Sequence, residues 1–340
     1  MSKIKTEENK PLKELNTFHI DVKAAKYCEI KSKKDILELS ENDDFKSEKL
    51  VLGGGSNILF TKDFAGLVIK NNIKGIEILS EDENSVKIKA GAGVVWDDLV
   101  KFCVEKEFYG IENLSLIPGT VGAAPIQNIG AYGTELSDVL FEVEFYDTEE
   151  QKFRSLEKDY CKLDYRNSIF KKELKNKIII TSVTLELSLE KSFNLSYRAL
   201  QKEFEERSID NIALSEVRDK IIQIRNSKLP STDLYGNAGS FFKNPEITVS
   251  HFEKLKKKFP DIVYFETGKD KVKVPAGWLI ETAGMKGKRI GNTGTYPEQA
   301  LVIINYGNAD GSEVKRFAEK IISEIDNKFG ITLIPEVNIL

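Results

Sequence analysis

Apolar positions along the chain switch between helical and strand periods, and the switches fall on glycine. A helical spacing over residues 33–39 is followed by the apolar run Leu50-Val51-Leu52, which stops at Gly53-Gly54-Gly55-Ser56-Asn57. This predicts a helix, then a strand that enters a glycine loop. Residues 67–70 and 86–90 read as further strands. The second ends on Gly91-Ala92-Gly93, before a helix with Leu99, Val100, Cys103 and Val104 on one face. Val139, Phe141, Val143 and Phe145 alternate with other positions, and 178–187 is rich in β-branched residues, so the middle of the chain is predicted to be α+β. Val217, Ile221 and Ile224 predict a helix from an N-cap at Ser215 to near Arg225. A glycine-rich stretch at 235–240 leads into a second α+β portion. That portion closes with a long helix carrying Val314, Phe317, Ile321 and Ile325 on one stripe.

Length and composition narrow the classes. At 340 residues the chain is long enough for two or three domains, each with its own core. It is 41% hydrophobic and 31% charged with a net charge of -4, so no basic excess is available to hold a polyanion and no nucleic-acid partner is expected. Lys256, Lys257 and Lys258 read as a solvated helix face. The start MSKIKTEENKPLKEL lacks a signal-peptide core, and no stretch approaches the ~18 apolar residues of a membrane span. A cytoplasmic chain without a membrane partner is expected. Three well-separated cysteines and only two histidines, His19 and His251, predict neither a disulfide framework nor a metal centre. Acid–base chemistry must then use other groups.

The segment LIPGTVGAAPIQNIGAYG at 116–133 changes the picture most. Its four glycines and two prolines, with no apolar period, exclude an amphipathic helix and a strand interior, so a shaped loop is expected. Small residues let backbone amides face a pyrophosphate or an isoalloxazine ring, while Gln127 and Asn128 offer donors and acceptors without charge. Neither 53–57 nor 91–93 completes G-x-G-x-x-G, which argues against a Rossmann dinucleotide site. Together the three loops resemble the FAD-binding region of the vanillyl-alcohol-oxidase-like flavoproteins. More closely, 117–133 resembles the family of UDP-N-acetylenolpyruvoylglucosamine reductases. Further motifs stand in that family's order: Asn16-Thr17-Phe18, Tyr165-Arg166-Asn167-Ser168-Ile169-Phe170, Lys228-Leu229-Pro230, the 239–245 run GSFFKNP, the 276–280 run AGWLI and Pro335-Glu336-Val337. Asn194-Leu195-Ser196-Tyr197 resembles the longer subclass, whose substrate loop contributes a tyrosine.

The resemblance implies an α+β protein. Residues 1–70, joined by 331–340, and 71–214 form the two subdomains of a vanillyl-alcohol-oxidase-like (p-cresol methylhydroxylase-type) FAD-binding fold, and 215–330 form a C-terminal α+β substrate-binding domain. It further implies NADPH-dependent, FAD-mediated reduction of UDP-N-acetylglucosamine enolpyruvate to UDP-N-acetylmuramate in peptidoglycan synthesis, by a monomer that holds FAD non-covalently. Arg166 is implied to stabilise the developing enolate, Ser240 to donate the proton, and Glu336 to protonate or hydrogen-bond the enol form. FAD contacts are implied for Gly53, Gly54, Gly55, Ser56, Asn57, Pro118, Gly119, Gly122, Ala123, Gln127, Asn128, Gly130, Tyr165 and Arg225. Substrate contacts are implied for Tyr197, Lys228, Asn244 and Gln299.

Taken singly, the same residues read differently. Arg166 would be a surface ion-pair partner, Ser240 a turn hydroxyl, Glu336 a surface carboxylate, and Arg225 a cation at a helix C-terminus. Two other functions stay open: a FAD-dependent oxidase on the same scaffold, which often ties the flavin to histidine or cysteine, and a flavin-binding scaffold without catalysis. Ala123 and Ala124 stand where some family members carry serines, and Asn338 follows Pro-Glu-Val where some carry arginine.

Overall fold

The structure, a computed structural model, describes residues 4–340; the first three, where the expected first subdomain begins, lie outside the described residues. The chain divides into two compact units. One holds the chain up to Lys10, Ala24–Gly54 and Ala65–Ser227; the other holds Pro11–Lys23, Gly55–Phe64 and Lys228–Leu340. Among the described residues no helix is long and apolar enough to cross a membrane.

The first unit is built on two sheets. In the four-stranded one the order is Glu7–Pro11, Lys23–Ile30, Phe64–Asn71, Lys49–Leu52. The last two strands run parallel with Leu52 opposite Lys70, so the chain leaves the sheet edge at Gly53. The helix Lys33–Ser40, opened by a capping box of Ser32 and Asp35, buries Ile36 and Leu39 with Ile30, Leu67 and Ile69. The five-stranded sheet is antiparallel, in the order Lys152–Glu157, Leu140–Asp147, Ile178–Ser188, Ser85–Gly91, Ile76–Glu81. Its core takes in Leu99, Val100, Cys103 and Val104 of the helix Trp96–Glu105, the face that the pattern predicts.

Three expectations shift in detail. Alternation over 139–145 is broken because Val139 ends a short helix, and register shifts within Leu140–Asp147 turn both Phe145 and Tyr146 inward. Those two rings enter different cores, one for each sheet. The helix expected from Ser215 to Arg225 spans Leu214–Lys228. Glu216 does the capping instead of Ser215, accepting the Ala213 N–H at 2.7 Å, and Pro230 disfavours helix beyond the next residue. The glycine-rich stretch forms the strand Gly236–Ser240.

That strand lies at the edge of the second unit's main sheet, followed by Gln299–Asn305, Thr293–Tyr296 and Arg289–Ile290. The helix Gly311–Phe329 is capped by Asp310 and ended by Gly330 in the left-handed region; it buries Val314, Phe317, Ile321 and Ile325 as the stripe predicts. The chain ends as the strand Asn338–Ile339, parallel to Ile58–Leu59.

Candidate active site

In the first unit the three glycine loops meet backbone to backbone. A Cβ on Gly53 would fall 2.4 Å from Thr120 Oγ1, one on Gly54 2.9 Å from the Gly119 Cα, and one on Gly122 2.6 Å from the Ala92 Cβ. The close approach that glycine was expected to allow is therefore present, with the loops 53–54, 91–93 and 118–123 forming one surface. Pro118 and Ala123 are exposed on it, and Gly119 and Gly122 are half-buried.

The 126–130 stretch is fastened to the YRNSIF motif. Arg166 donates to the carbonyls of Gly130 at 2.7 Å and Asn128 at 3.4 Å, and Ser168 donates to the Ile126 carbonyl at 2.7 Å. Asn128 is buried: its amide donates to Glu135 at 2.8 Å and accepts from the Ser137 N–H at 2.9 Å. Gln127 receives Lys171 Nζ at 3.5 Å, and the Tyr165 ring lies 5.4 Å from the Arg166 guanidinium carbon. Leu116, Asn128, Tyr132 and Arg166 all hold left-handed backbone. Each of these four positions holds a backbone conformation that a non-glycine residue adopts at some cost.

A two-helix module, Arg198–Phe204 and Leu214–Lys228, buries Leu200, Phe204, Ile212, Val217, Ile221 and Ile224 in a core of its own. Tyr132 packs against this core from the third glycine segment, edge-on to Tyr197 at 4.8 Å. Its hydroxyl hydrogen-bonds Arg225, whose acidity is raised above the usual for a guanidinium by burial. Arg225 Nε has no protein partner among the described residues. A buried guanidinium with an unused donor, hydrogen-bonded to Tyr132 of the third glycine segment, fits a diphosphate-bearing cofactor.

Asp97 anchors the module. It takes two 2.8 Å hydrogen bonds from Arg218 and accepts the Leu116 N–H at the start of the third glycine segment. Burial pushes its carboxyl up, but Arg218 and Leu116 together hold it below the ordinary carboxylate range. Its stabilising effect is thus present above the unfolded value of about 3.9 and is lost as pH falls through the lower folded value. Asp97→Asn is expected to destabilise the protein by roughly 2–3 kcal/mol and to flatten this part of the acid unfolding curve, both read from urea titrations at several pH values.

The second unit holds the other motifs. Ser240 is exposed at the end of its strand. The next residue, Phe241, donates its N–H to Leu301 at 2.8 Å and accepts the Glu336 N–H at 2.8 Å; Phe242 and Pro335 form an antiparallel bridge, and the Lys243 N–H meets the Ile334 carbonyl at 3.0 Å. Glu336, half-buried, is therefore paired through its backbone with Phe241, the residue that follows Ser240. Asn57 Nδ2 reaches the Glu336 carbonyl at 3.5 Å, and the Asn57 carbonyl accepts both Asn338 N and Nδ2 at 3.1 Å. Asn338, where some family members carry arginine, is thus used to tie the GGGSN loop to the chain end. Gly55 needs its φ of 67°, and a Cβ there would strike the Leu15 carbonyl; Ser56 beside it is half-buried. Asn244 Oδ1 accepts the Ala276 N–H at 2.9 Å; Gln299 is half-buried and Lys228 exposed.

Residues 230–340 match the family profile "UDP-N-acetylenolpyruvoylglucosamine reductase, C-terminal domain", and 27–153 match "FAD binding domain". The chain is 43% identical to the UDP-N-acetylenolpyruvoylglucosamine reductase of Flavobacterium johnsoniae, over 98% of this chain and 99% of that one. It is 45% identical to that of Amoebophilus asiaticus over 98% and 99%, and 40% identical to that of Pseudomonas aeruginosa over 99% of each. The chain belongs to the UDP-N-acetylenolpyruvoylglucosamine reductase family. As a member of that reductase family it also shares the fold of a solved UDP-N-acetylenolpyruvylglucosamine reductase from Thermus caldophilus, with a TM-score of 0.66 at 22% identity over 100% of this chain and 99% of that one. A p-cresol methylhydroxylase gives a TM-score of 0.51 at 11% identity over 95% and 83%. The family and fold inferred from the motifs are borne out, and the reductase's FAD-binding match spans all three glycine loops. Asp97, Asn113 and Tyr132 were not singled out from sequence, although Tyr132 lies inside the recognised motif. Asn113 donates to the Tyr132 and Asn194 carbonyls at 3.0 and 2.7 Å, a link across 81 residues that no local pattern signals.

Proposed function

We propose that the chain reduces UDP-N-acetylglucosamine enolpyruvate to UDP-N-acetylmuramate, with NADPH as reductant and FAD as carrier. The observation that supports this reading is the backbone pairing of 241–243 with 334–336, which joins the Pro-Glu-Val motif to the segment that follows Ser240. Held by the glycine loops, FAD reduced by NADPH would supply hydride to the methylene carbon of the enolpyruvyl group. As that C–H bond forms, the double-bond electrons move toward the neighbouring carbon and its carboxylate. Arg166, with its guanidinium fork fixed by two carbonyls, pairs with this charge. Ser240 gives its proton to the same carbon, and Glu336 hydrogen-bonds the enol form. One hydride and one proton are added across the double bond.

The remaining residues bind and orient. Backbone at Gly53, Gly54, Gly55, Pro118, Gly119, Gly122, Ala123 and Gly130 faces the flavin; Ser56, Asn57, Gln127 and Tyr165 add side chains, Asn128 braces the loop, and Arg225 takes the pyrophosphate. Tyr197 and Lys228 suit the diphosphate end of the substrate, while the amides of Asn244 and Gln299 suit sugar hydroxyl and acetamido groups. In this division 1–70 with 331–340 and 71–214 hold FAD, and 215–330 bind the nucleotide sugar. We read the chain as a cytoplasmic enzyme and as a monomer. A covalent flavin is disfavoured by the chain's own chemistry: Cys28, Cys103 and Cys161 are buried, with thiols pushed up to about 12. Mass analysis after incubation with NADPH and the enolpyruvyl nucleotide should find a product heavier by two hydrogens, matched by NADPH oxidised. Oxygen consumption without that product would favour an oxidase instead.

A further inference from the structure

Lys70 stands at the end of the strand Phe64–Asn71, beside the point where the neighbouring strand releases the first glycine loop. It is more than half buried, and its ammonium group donates to the Gly53 carbonyl. In a trans peptide the C=O of one residue and the N–H of the next point in opposite directions. Drawing the Gly53 carbonyl toward Lys70 therefore turns the Gly54 N–H away from the ammonium; Gly54 itself lies against the third glycine segment, where a Cβ would come within 2.9 Å of the Gly119 Cα. Among the described residues that N–H finds no acceptor within the protein. The neighbouring Lys74 differs: it donates to the Gly93 carbonyl, but the following N–H, of Val94, is already taken by the Gly91 carbonyl at 3.0 Å.

We propose that Lys70 is a positioning residue for the cofactor's pyrophosphate, aiming the Gly54 N–H at a phosphate oxygen and placing a fixed positive charge beneath the loop. The inference rests on the flavin reading above and adds to it a group that neither the motifs nor the comparisons assign. A buried ammonium costs free energy, and here a second cation adds to that cost. Burial holds the Lys70 amine below its ordinary value, Lys74 lowers it further, and Glu29 on the strand Lys23–Ile30 opposes them. Glu29 is itself engaged by Asn72 and lies 3.8 Å from Lys31. A bound pyrophosphate would reverse the depression. FAD binding then takes up a proton at alkaline pH, and affinity falls as pH rises between the lowered and the restored value.

The test uses purified holoenzyme. FAD released on dilution is followed by the recovery of flavin fluorescence, in wild type, Lys70→Met and Lys70→Arg, from about pH 7 to about pH 10. Lys70→Met is expected to hold FAD roughly tenfold more weakly near neutrality and to lose the alkaline slope. Lys70→Arg, whose charge does not titrate in this range, should keep near wild-type retention and also lose the slope. Unchanged retention in Lys70→Met, or weakened retention with the wild-type slope intact in both variants, would overturn the proposal. A wild-type protein that takes up no FAD at all would instead overturn the flavin reading on which it rests.

Discussion

Replacing Ser240 with alanine is expected to lower kcat by about 10²- to 10⁴-fold while FAD content and fold are retained. The hydroxyl is exposed at a strand end, and the strand is registered by backbone: Phe241 bonds to Leu301 and Glu336 regardless of the side chain before it. Removing Oγ therefore leaves the scaffold in place and takes away the proposed proton donor. Serine is a weak acid, but under the proposed mechanism the carbon it would protonate is far more basic than water once hydride has arrived, so a positioned hydroxyl would be sufficient. KM should change little, because the lost interaction matters only after substrate is bound.

Arg166→Lys is expected to lower kcat by about 10²- to 10³-fold even though the charge is conserved. The guanidinium is held in place by the Gly130 and Asn128 carbonyls, and lysine cannot meet two acceptors in one plane while pairing with a carboxylate. The left-handed φ of 51° at this position is borne equally by both side chains, so the comparison isolates the head group. Thermal unfolding should be close to wild type; steady-state kinetics with saturating substrate read the loss. A lysine variant with wild-type kcat would remove the fork geometry from the account.

How much of this was legible beforehand depends on the range over which each feature is encoded. Glycine loops announce themselves locally, because only residues without a Cβ tolerate the approach of Gly54 to Gly119. Helix faces such as Val314 to Ile325 are equally local, being set by one repeating stripe. Arg166 and Ser240 were legible only through the surrounding motif, since an isolated arginine or serine carries no direction. The Asp97–Arg218 pair spans 121 residues and the Asn113–Asn194 bond 81, and neither has a periodic or compositional signature. Lys70 escaped notice because it reads as one polar residue in a strand; its meaning depends on which carbonyl it meets across the sheet. The displaced start of the Leu214–Lys228 helix has a similar cause, a glutamate in the first turn doing the capping expected of serine.

The most direct test of the proposed division of labour separates the two half-reactions under anaerobic conditions in wild type and Ser240→Ala. NADPH should bleach the flavin at nearly the same rate in both. Colour should then return promptly in wild type when the enolpyruvyl nucleotide is added, and slowly in the variant, by the same factor that kcat has lost. Equal slowing of both half-reactions, or wild-type recovery in the variant, would contradict the assignment of the proton to Ser240.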